Sequence, residues 1–305
     1  MFTKKTTLII PTKDRSDKLI KLLKKIINLK INFNEIIVVD SSNQKHKNNI
    51  IKFLKTKKIK FISTFPSTTH QRNIGLKRRR KDSEFILFLD DDIRVSIKSF
   101  KEMNNAIIKY KNQKDICSFA FNLKTHSKNF KFEKIKTSKF VKLFGLYDNI
   151  PGKVMNSGWH TKISNLKKDT FVEWIYTGAT IYKSKIIKRR LLKDLNKGFN
   201  YLEDLYFSYR FTKRKLKHIV IAKAKVFNNN IVPRNDFKFG YIEIVNRFKF
   251  VDNYKLSKFK FYFTSIVRSV FLMTNLLSLN IKIVFRFFGN MLGIISCLYL
   301  EIKNI

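Results

Sequence analysis

Three consecutive carboxylates, Asp90-Asp91-Asp92, follow directly on an apolar run, Phe85–Leu89. Adjacent carboxylates repel one another, so they need a compensating cation, hydrogen-bond donors or water. If the chain stays extended there, Asp90 and Asp92 point to one side and Asp91 to the other. Asp90 and Asp92 could then share a divalent metal ion that also holds a phosphorylated ligand. A solvated acidic turn is the alternative interpretation of the same residues.

A second carboxylate pair, Glu203-Asp204, begins a segment that is predicted to be helical as far as Arg214. A carboxylate within hydrogen-bond reach of a hydroxyl group can accept its proton while that oxygen forms a new bond. Acidic residues in the first turn also stabilise a helix through its dipole, which is a purely structural interpretation. The pattern leaves both roles open.

The elements that position these carboxylates alternate between strand and helix, with short connections. The predicted strands are residues 6–10, 35–39, 59–62, 84–89 and 115–123, and the helices between them begin near residues 16, 47, 67 and 96. The apolar run before Asp90 shows no polar alternation, which is typical of a strand buried on both faces of a parallel sheet. Ligands of open α/β sheets lie beyond the carboxyl ends of such strands. The sequence therefore predicts an α/β fold with a mostly parallel sheet flanked by helices, and the acidic residues at its ligand-binding edge.

The middle of the chain is less regular. Residues 124–170 are basic and irregular, and we expect them to form an excursion on the substrate side. Further strands are predicted at residues 171–176, 178–182 and 218–226, and a further helix from Ser184.

From about Gly240 the composition shifts to Phe and Leu with Lys or Arg at intervals, so we predict domains at residues 1–239 and 240–305. The longest uncharged runs, Ser269–Ile281 and Phe287–Leu300, fall short of the ~18–20 residues that span a bilayer. Aromatic residues interleaved with cations favour helices that lie in a membrane interface. Packing of these helices on the first domain or on a second subunit is the alternative.

The net charge of +42, from 64 basic and 22 acidic residues, favours anionic partners such as phosphorylated substrates or anionic lipids. The basic residues are scattered, and no zinc-finger spacing or RNA-binding aromatic motif accompanies them, so no specific nucleic-acid partner is predicted. Two cysteines, Cys117 and Cys297, suggest neither a disulfide framework nor a metal site. With no signal-peptide pattern at the N-terminus, we expect a cytoplasmic protein on the inner face of the cell membrane.

Five motifs stand in one order along the chain. They are Pro11-Thr12-Lys13-Asp14-Arg15, Asp40, Gln71-Arg72-Asn73-Ile74-Gly75, Asp90-Asp91-Asp92 and Glu203-Asp204. Together they resemble the family 2 glycosyltransferases with the GT-A fold, over roughly residues 6–235. The resemblance implies a DXD motif with Mg²⁺ or Mn²⁺, and inverting transfer from a nucleoside-diphosphate sugar. UDP- or dTDP-linked donors are expected, with a lipid-linked or cell-surface glycan as acceptor, in the biosynthesis of cell-envelope polysaccharide.

The resemblance also implies individual roles. The residues implied for the nucleotide are Pro11, Thr12, Asp14, Arg15, Asp40, Arg72, Asn73, Asp90 and Asp91. Among them, Asp40 would accept the imide N–H of uracil or thymine. Asp92 and Asp90 would bind the metal, and Asp204 would be the base with Glu203 beside it. Trp174, Gly178 and Ala179 would lie on the acceptor side.

One position departs from the family pattern. Many relatives carry a metal-ligating His after the strand near Val226, where this chain has Phe227, Asn228, Asn229 and Asn230. Water is the expected substitute on that side.

Two other classes of function remain open. A sugar-phosphate nucleotidyltransferase would also use an α/β sheet and acidic metal ligands, but it usually has a Gly-rich loop after the first strand, and Pro11–Arg15 contains no Gly. A non-enzymatic basic protein that binds membranes or nucleic acid would use these carboxylates only structurally. Asp40, for example, could simply stabilise the following turn. The donor sugar, the linkage and the oligomeric state do not follow from the sequence.

Overall fold

The computed structural model describes residues 1–124, 139–187, 201–228, 236–273 and 281–303. The strands in these ranges are β1 (Thr6–Thr12), β2 (Glu35–Asp40), β3 (Lys60–Ser63), β4 (Phe85–Leu89), β5 (Ile116–Lys124), β6 (Thr170–Val172), β7 (Ala179–Lys183) and β8 (Lys217–Phe227). The helices are α1 (Ser16–Asn28), α2 (Gln44–Leu54), α3 (Thr68–Arg78), α4 (Ile97–Lys109), α5 (Lys139–Leu143), α6 (Ser184–Ile187), α7 (Glu203–Thr212), α8 (Phe237–Asn253), α9 (Lys258–Met273) and α10 (Lys282–Lys303). The helix predicted from Ser184 is described only as far as Ile187, and Asn229 and Asn230 lie outside the described residues.

The strands form one sheet in the order β3-β2-β1-β4-β7-β5-β8-β6. β1 is parallel to β2 and β4, β2 to β3, and β5 to β8. β7 runs antiparallel between β4 and β5, and β6 antiparallel to β8. The predicted α/β fold with a mostly parallel sheet and flanking helices is confirmed.

The chain reverses its direction of travel across the sheet between β1 and β4. From β1 it proceeds to β2 and β3, and then returns to place β4 on the other side of β1. Such a switch point leaves a crevice beyond the carboxyl ends of the two strands, where open α/β sheets bind their ligands. The loop that begins at Lys13 and the segment Asp90-Asp91-Asp92 both leave the sheet at this crevice.

Helices cover both faces of the sheet. Apolar residues of α1, α2 and α4, among them Leu23, Ile50 and Phe100, form one core with Leu8 and Ile10 of β1. Successive strand residues point to opposite faces. The intervening Ile9 therefore faces the other side, where Gly75 of α3 packs closely on its side chain.

Two strand ends differ from the prediction by two residues or more. β1 continues through Pro11, which lies opposite Val39 of β2, because β4 pairs with β1 only as far as Ile9. Past that point β1 has a neighbour on one side only, a position that tolerates a residue without an N–H group. The strand predicted at residues 171–176 ends at Val172, because the N–H groups of Ile175 and Thr177 donate to α7 side chains and not to a strand.

Contacts divide the chain into two compact units, Met1–His126 with Ile163–Ile231 and Ser127–Lys162 with Val232–Ile305. The first unit contains the whole sheet. In the second, residues 139–162 are bonded to the C-terminal helices, whereas the predicted division at residue 239 placed them with the sheet. Arg247 Nη1 donates to Gly158 O (2.7 Å), and Thr264 Oγ1 to Phe144 O (2.9 Å).

The C-terminal helices pack mainly through α8 and α10. Gly289 and Gly293 of α10 lie against the Phe237 carbonyl and Ile244 of α8, so close that a Cβ atom at either glycine would collide. With 22 residues, α10 is the described helix that is long and apolar enough to cross a membrane. The uncharged run Phe287–Leu300 by itself had been too short to span a bilayer. The helix is longer than that run because it also includes Lys282, Arg286 and Glu301.

Candidate active site

Arg72 of α3 is the cation around which the candidate site is built. Its side chain is 2% exposed, and its guanidinium group contacts three carboxylates from two distant parts of the chain. Nη2 donates to Asp90 Oδ1 (2.8 Å), Nη1 donates to Glu203 Oε1 (2.7 Å), and Asp204 Oδ1 lies 3.5 Å from Nη1. The planar fork of an arginine suits such multiple charge-assisted bonds. Arg72 therefore joins the end of β4 to the start of α7.

Glu203 and Asp204 are held by further donors. The other oxygen of Glu203 accepts a hydrogen bond from Thr69 Oγ1, and Asp204 Oδ1 accepts one from the Thr177 N–H (3.1 Å). Burial raises the pKa of Glu203 to about 7, although Arg72 opposes the shift. Burial also raises the pKa of Asp204, again against Arg72 and Thr177. A carboxylate whose pKa is raised toward neutrality is a better proton acceptor than an ordinary one.

Asp90 lies between Arg72 and the segment before β7. Its backbone N–H donates to Gly178 O (2.9 Å), and a Cβ atom at residue 178 would come within 2.0 Å of Asp90 Oδ2. Only glycine leaves room for the carboxylate in this position. Gly178 thus touches a residue of the acidic motif, a contact that the sequence did not reveal.

The condition under which Asp90 and Asp92 would share one side, an extended chain, is not met, because the chain turns at this point. The N–H of Ile93 donates to Asp90 O (3.2 Å), and the turn includes Asp91 and Asp92. Instead, Asp91 and Asp92 lie on Arg15, whose Nη1 atom is 3.3 Å from Asp91 Oδ1 and 3.4 Å from Asp92 Oδ2. The two arginines therefore divide the three carboxylates.

Burial makes the charged forms of Asp91 and Asp92 costly. Asp91 accepts a hydrogen bond from Thr12 Oγ1 (2.7 Å), yet burial and its acidic neighbours raise its pKa to about 6. Burial and Asp90 raise the pKa of Asp92, and Arg15 and Lys18 oppose that shift. Asn228 donates to Asp92 Oδ1 (3.3 Å), in the region where the family pattern has a histidine.

These residues fit a hard divalent cation held in part by its substrate. All the donors are oxygens, and Mg²⁺ is commonly bound by one or two carboxylates together with substrate phosphates. Within the described residues there is no group of three or more His, Cys, Asp or Glu side chains arranged to hold a metal by themselves. A site that depends on phosphate oxygens agrees with both observations.

The ends of β1 and β2 form a second part of the site. Asp40 is fully buried; its Oδ1 atom accepts the Ser42 N–H (3.2 Å), and its Oδ2 atom has no hydrogen-bond partner among the residues that the structure describes. Asp14 has φ +51° and ties the two loops together, because its N–H donates to Ser42 Oγ (2.7 Å) and its Oδ1 accepts the Asn43 N–H (2.8 Å). The Gln71 side-chain amide donates to the carbonyls of Thr12 (2.7 Å) and Val39 (2.8 Å), which fixes α3 over both strand ends.

The remaining predicted residues lie around this centre. Asn73 is half-buried on α3, and Pro11 is buried in β1. Trp174 (3% exposed) and Ala179 (4% exposed) are buried, Trp174 with its ring edge-on to Tyr176 and Ala179 opposite Leu89 in the sheet. Their side chains thus lie beneath the surface. Sequence reasoning missed Thr69 and Thr177, which bond the two α7 carboxylates. Thr69 sits in the first turn of α3, one signal by which it could have been found.

A cavity of about 580 Å³ opens beside the acidic turn. It is bounded by Asp91 and Asp92 on one side and by Lys18, Lys21 and Lys25 of α1 on the other. Carboxylate oxygens and lysine ammonium groups therefore line the same cavity, a combination that would suit a phosphorylated ligand together with a cation.

Comparison with known protein families gives a match over the first part of the chain. The model of the family described as "Glycosyl transferase family 2" matches residues 7–169, just over half of the 305 residues. That range includes Asp40, Arg72 and the acidic turn, and it ends before Glu203 and Asp204. No curated protein matches the chain.

Proposed function

The chain belongs to glycosyl transferase family 2, and from this membership we propose that it transfers a sugar with inversion from a nucleoside diphosphate to a hydroxyl group. The family and the fold establish a glycosyltransferase with the GT-A fold, a family that generally uses nucleotide-sugar donors and glycan acceptors. The specific proposal rests on the contacts that Arg72 makes with three carboxylates. Arg72 brings Asp90 and the two α7 carboxylates together beside the crevice at the β1–β4 switch point.

We place the nucleotide base at Asp40. A buried carboxylate oxygen without a partner is costly, and a ligand N–H would satisfy it. The imide N–H of uracil or thymine is such a donor, which favours UDP or dTDP. In this proposal the nucleotide is surrounded by Thr12, Asp14, Arg15, Arg72 and Asn73, and Asp91 lies next to it.

We assign the metal, Mg²⁺ or Mn²⁺, to Asp92, with Asp90 beside it. A bound divalent ion would neutralise the charge that develops on the departing diphosphate. Arg15 contacts Asp92, and Lys18 lies close enough to lower its pKa, so both cations also lie near the position of the phosphates.

Asp204 is the proposed base, with Glu203 next to it. Arg72 and the Thr177 N–H fix the orientation of Asp204, and its raised pKa suits it to accept the acceptor's proton. Attack by the hydroxyl on C1 from the side opposite the diphosphate inverts that carbon, so one base and one metal-binding carboxylate are enough for the reaction.

The acceptor in this proposal is a lipid-linked or cell-surface glycan, made at the inner face of the cell membrane during assembly of envelope polysaccharide. The basic composition supports a location near anionic lipid. The segment before β7, which includes Gly178 and contacts both Asp90 and Asp204, would face this acceptor.

Donor binding tests the metal assignment. UDP or dTDP should stabilise the protein in a thermal-shift assay only with Mg²⁺ or Mn²⁺. The stabilisation should be about 2.7 kcal/mol at 100 times Kd. Asp92→Asn should abolish it, whereas Asp115→Asn, which removes an exposed carboxylate paired with Lys217, should not. Equal stabilisation in EDTA would show that the diphosphate is held without a metal. A screen of sugar nucleotides for hydrolysis would then identify the donor.

A further inference from the structure

One face of α10 is apolar and exposed over the whole length of the helix. Its residues recur at intervals of three and four, the spacing of a single helical face. They are Phe285, Phe288, Leu292, Ile295, Tyr299 and Ile302. For example, Ile295 is 61% exposed, and Tyr299 is 64% exposed. An apolar strip of this length on a helix surface marks an interaction site.

The opposite face of α10 is fixed to its own unit. Besides the close glycine contacts with α8, Arg286 Nη2 donates to Glu243 Oε2 (2.7 Å), and Glu243 is 3% exposed. The Asn290 side chain and the Ser269 hydroxyl of α9 are hydrogen-bonded at 2.9 Å. Buried polar contacts of this kind are lost only at a high cost. The helix is therefore apolar on one side and anchored on the other.

α9 carries a smaller exposed apolar face at the same spacing. Phe259, Ile266 and Val270 are exposed on it. The two helices are packed together in one unit, so both faces belong to one group of C-terminal helices.

Charge identifies the occupant of this surface. Exposed cations flank the strip, Lys282 at its beginning and Lys303 at its end, on a chain whose net charge is +42. A second copy of the chain would bring equal charges together, whereas an anionic bilayer would attract them. Aromatic and aliphatic residues between lysines are typical of a helix that lies in the interface.

We infer that α10 lies parallel to an anionic lipid surface and inserts only the strip Phe285–Ile302 into it. Although α10 is long enough to cross the bilayer, its second face stays packed on α8 and α9. The inference deepens the membrane location given under the proposed function. Its tests use no transfer assay, so it can fail or hold independently of the reaction.

Vesicle flotation tests the strip. The full chain should float with vesicles of phosphatidylcholine and phosphatidylglycerol, and far less with phosphatidylcholine alone. Phe288→Ser with Ile295→Ser should weaken binding by about tenfold for each side chain removed. Ile108→Ser, at an equally exposed residue of α4, is the matched control and should bind normally. Unchanged flotation of the double variant would overturn the proposal. A double variant that floats normally but no longer self-associates in sedimentation would also overturn the proposal. That result would show that the strip contacts a second copy of the chain and not the lipid.

Cysteine labelling separates insertion from spanning. Ile281→Cys and Lys303→Cys place a thiol at either end of α10 and outside the inserted strip, and both native cysteines are buried. A membrane-impermeant maleimide added outside sealed vesicles should label both positions on protein bound from outside. Labelling of one end only would show that the helix crosses the bilayer. Equal melting temperatures of all variants would establish that each has folded.

Discussion

At the scale of single residues, one buried guanidinium group organises the chemistry. Arg72 contacts Asp90, Glu203 and Asp204, and no other side chain could bond all three in the same geometry. Its role therefore extends beyond the predicted contact with the nucleotide, which stays a prediction.

Replacement of Arg72 by Met should destabilise the protein by about 3 kcal/mol at pH 8, the lower end of the range for a broken buried ion pair, because it leaves three partly buried carboxylates without their cation. Without Arg72 the pKa values of Glu203 and Asp204 rise further, so the folded variant binds more protons than the unfolded chain. Its stability should accordingly increase as the pH falls from 8, and the gap to the parent chain, in which the pKa of Glu203 is about 7, should be smaller at pH 5 than at pH 8. Urea unfolding at several pH values measures this. Arg80→Met, which removes an exposed ion pair with Asp82, should cost little at any pH. A pH-independent loss would contradict the charge argument.

Asp204→Asn should lower sugar transfer by about 10²–10⁴-fold and leave the donor's Kd nearly unchanged, because the base acts only as the acceptor oxygen attacks. Steady-state rates together with donor titration measure the two effects. Glu203→Gln is the matched neighbour. If Glu203→Gln is inactive while Asp204→Asn transfers normally, then Glu203 is the base. In the parent enzyme the rate should rise with pH through the raised pKa of the base.

The residue types predicted the chemistry of the candidate site better than they predicted the geometry of the site. The sequence identified the carboxylates at the ends of β2 and β4, because strand ends of an α/β sheet are where ligands bind. It could not show that Arg72 faces Glu203, since 131 residues separate them and only the fold joins them. The alternation of Asp90, Asp91 and Asp92 depended on an extended chain, and the structure has a turn there.

At the scale of elements, glycines show where segments touch. Gly178→Ala would push a Cβ atom onto Asp90, and so displace the carboxylate from Arg72. A displacement of about 1 Å can cost about 10²-fold in rate. We expect such a loss in kcat with little change in melting temperature.

Gly75→Ala provides the contrasting case. Its Cβ atom would meet Ile9 of β1 at 2.4 Å, which overpacks the core beneath α3. The cost should be about 1–3 kcal/mol of stability, with kcat largely retained at low temperature. If both alanine variants lose the same property, the two contacts do not differ as described.

Most elements could be predicted because their apolar patterns are strong. Ser96 caps α4 as its position indicated, with a side chain that accepts from Ser99 N. Residues 173–176 were mistaken for a strand because they resemble one in composition, whereas the N–H groups of Ile175 and Thr177 donate to α7 side chains. The antiparallel insertion of β7 depends on long-range pairing that a local pattern does not carry.

At the scale of the whole molecule, two compact units differ in their surfaces. The sheet unit includes the candidate site, and the second unit carries the exposed apolar strip of α10. The composition shift near Gly240 predicted a separate C-terminal part. It could not assign residues 139–162 to that part, since their basic and irregular sequence shows no partner. The domain boundary at residue 239 stays a prediction.

The charge of the molecule predicts a salt-dependent attachment to vesicles. Binding to anionic vesicles should fall as salt rises, because the Debye length shortens from about 10 Å at 0.1 M to about 3 Å at 1 M. A residual fraction should persist at high salt through the apolar strip, and disappear when Phe288 and Ile295 are both replaced by Ser. Flotation across a salt series measures both contributions. Complete release of the parent chain by salt would show that electrostatics alone binds it.

The shared arginine also constrains how this centre can change over evolutionary time. Loss of Asp90, Glu203 or Asp204 leaves Arg72 with fewer partners. The net charge around Arg72 then changes, and with it the strength of the bonds to the remaining carboxylates. Substitutions at these positions are therefore expected to be strongly epistatic, because groups in one ionic network do not contribute additively. A lineage that altered one carboxylate would encounter a different cost at the next. We therefore expect that residues 72, 90, 203 and 204 are either substituted together in evolution or all retained.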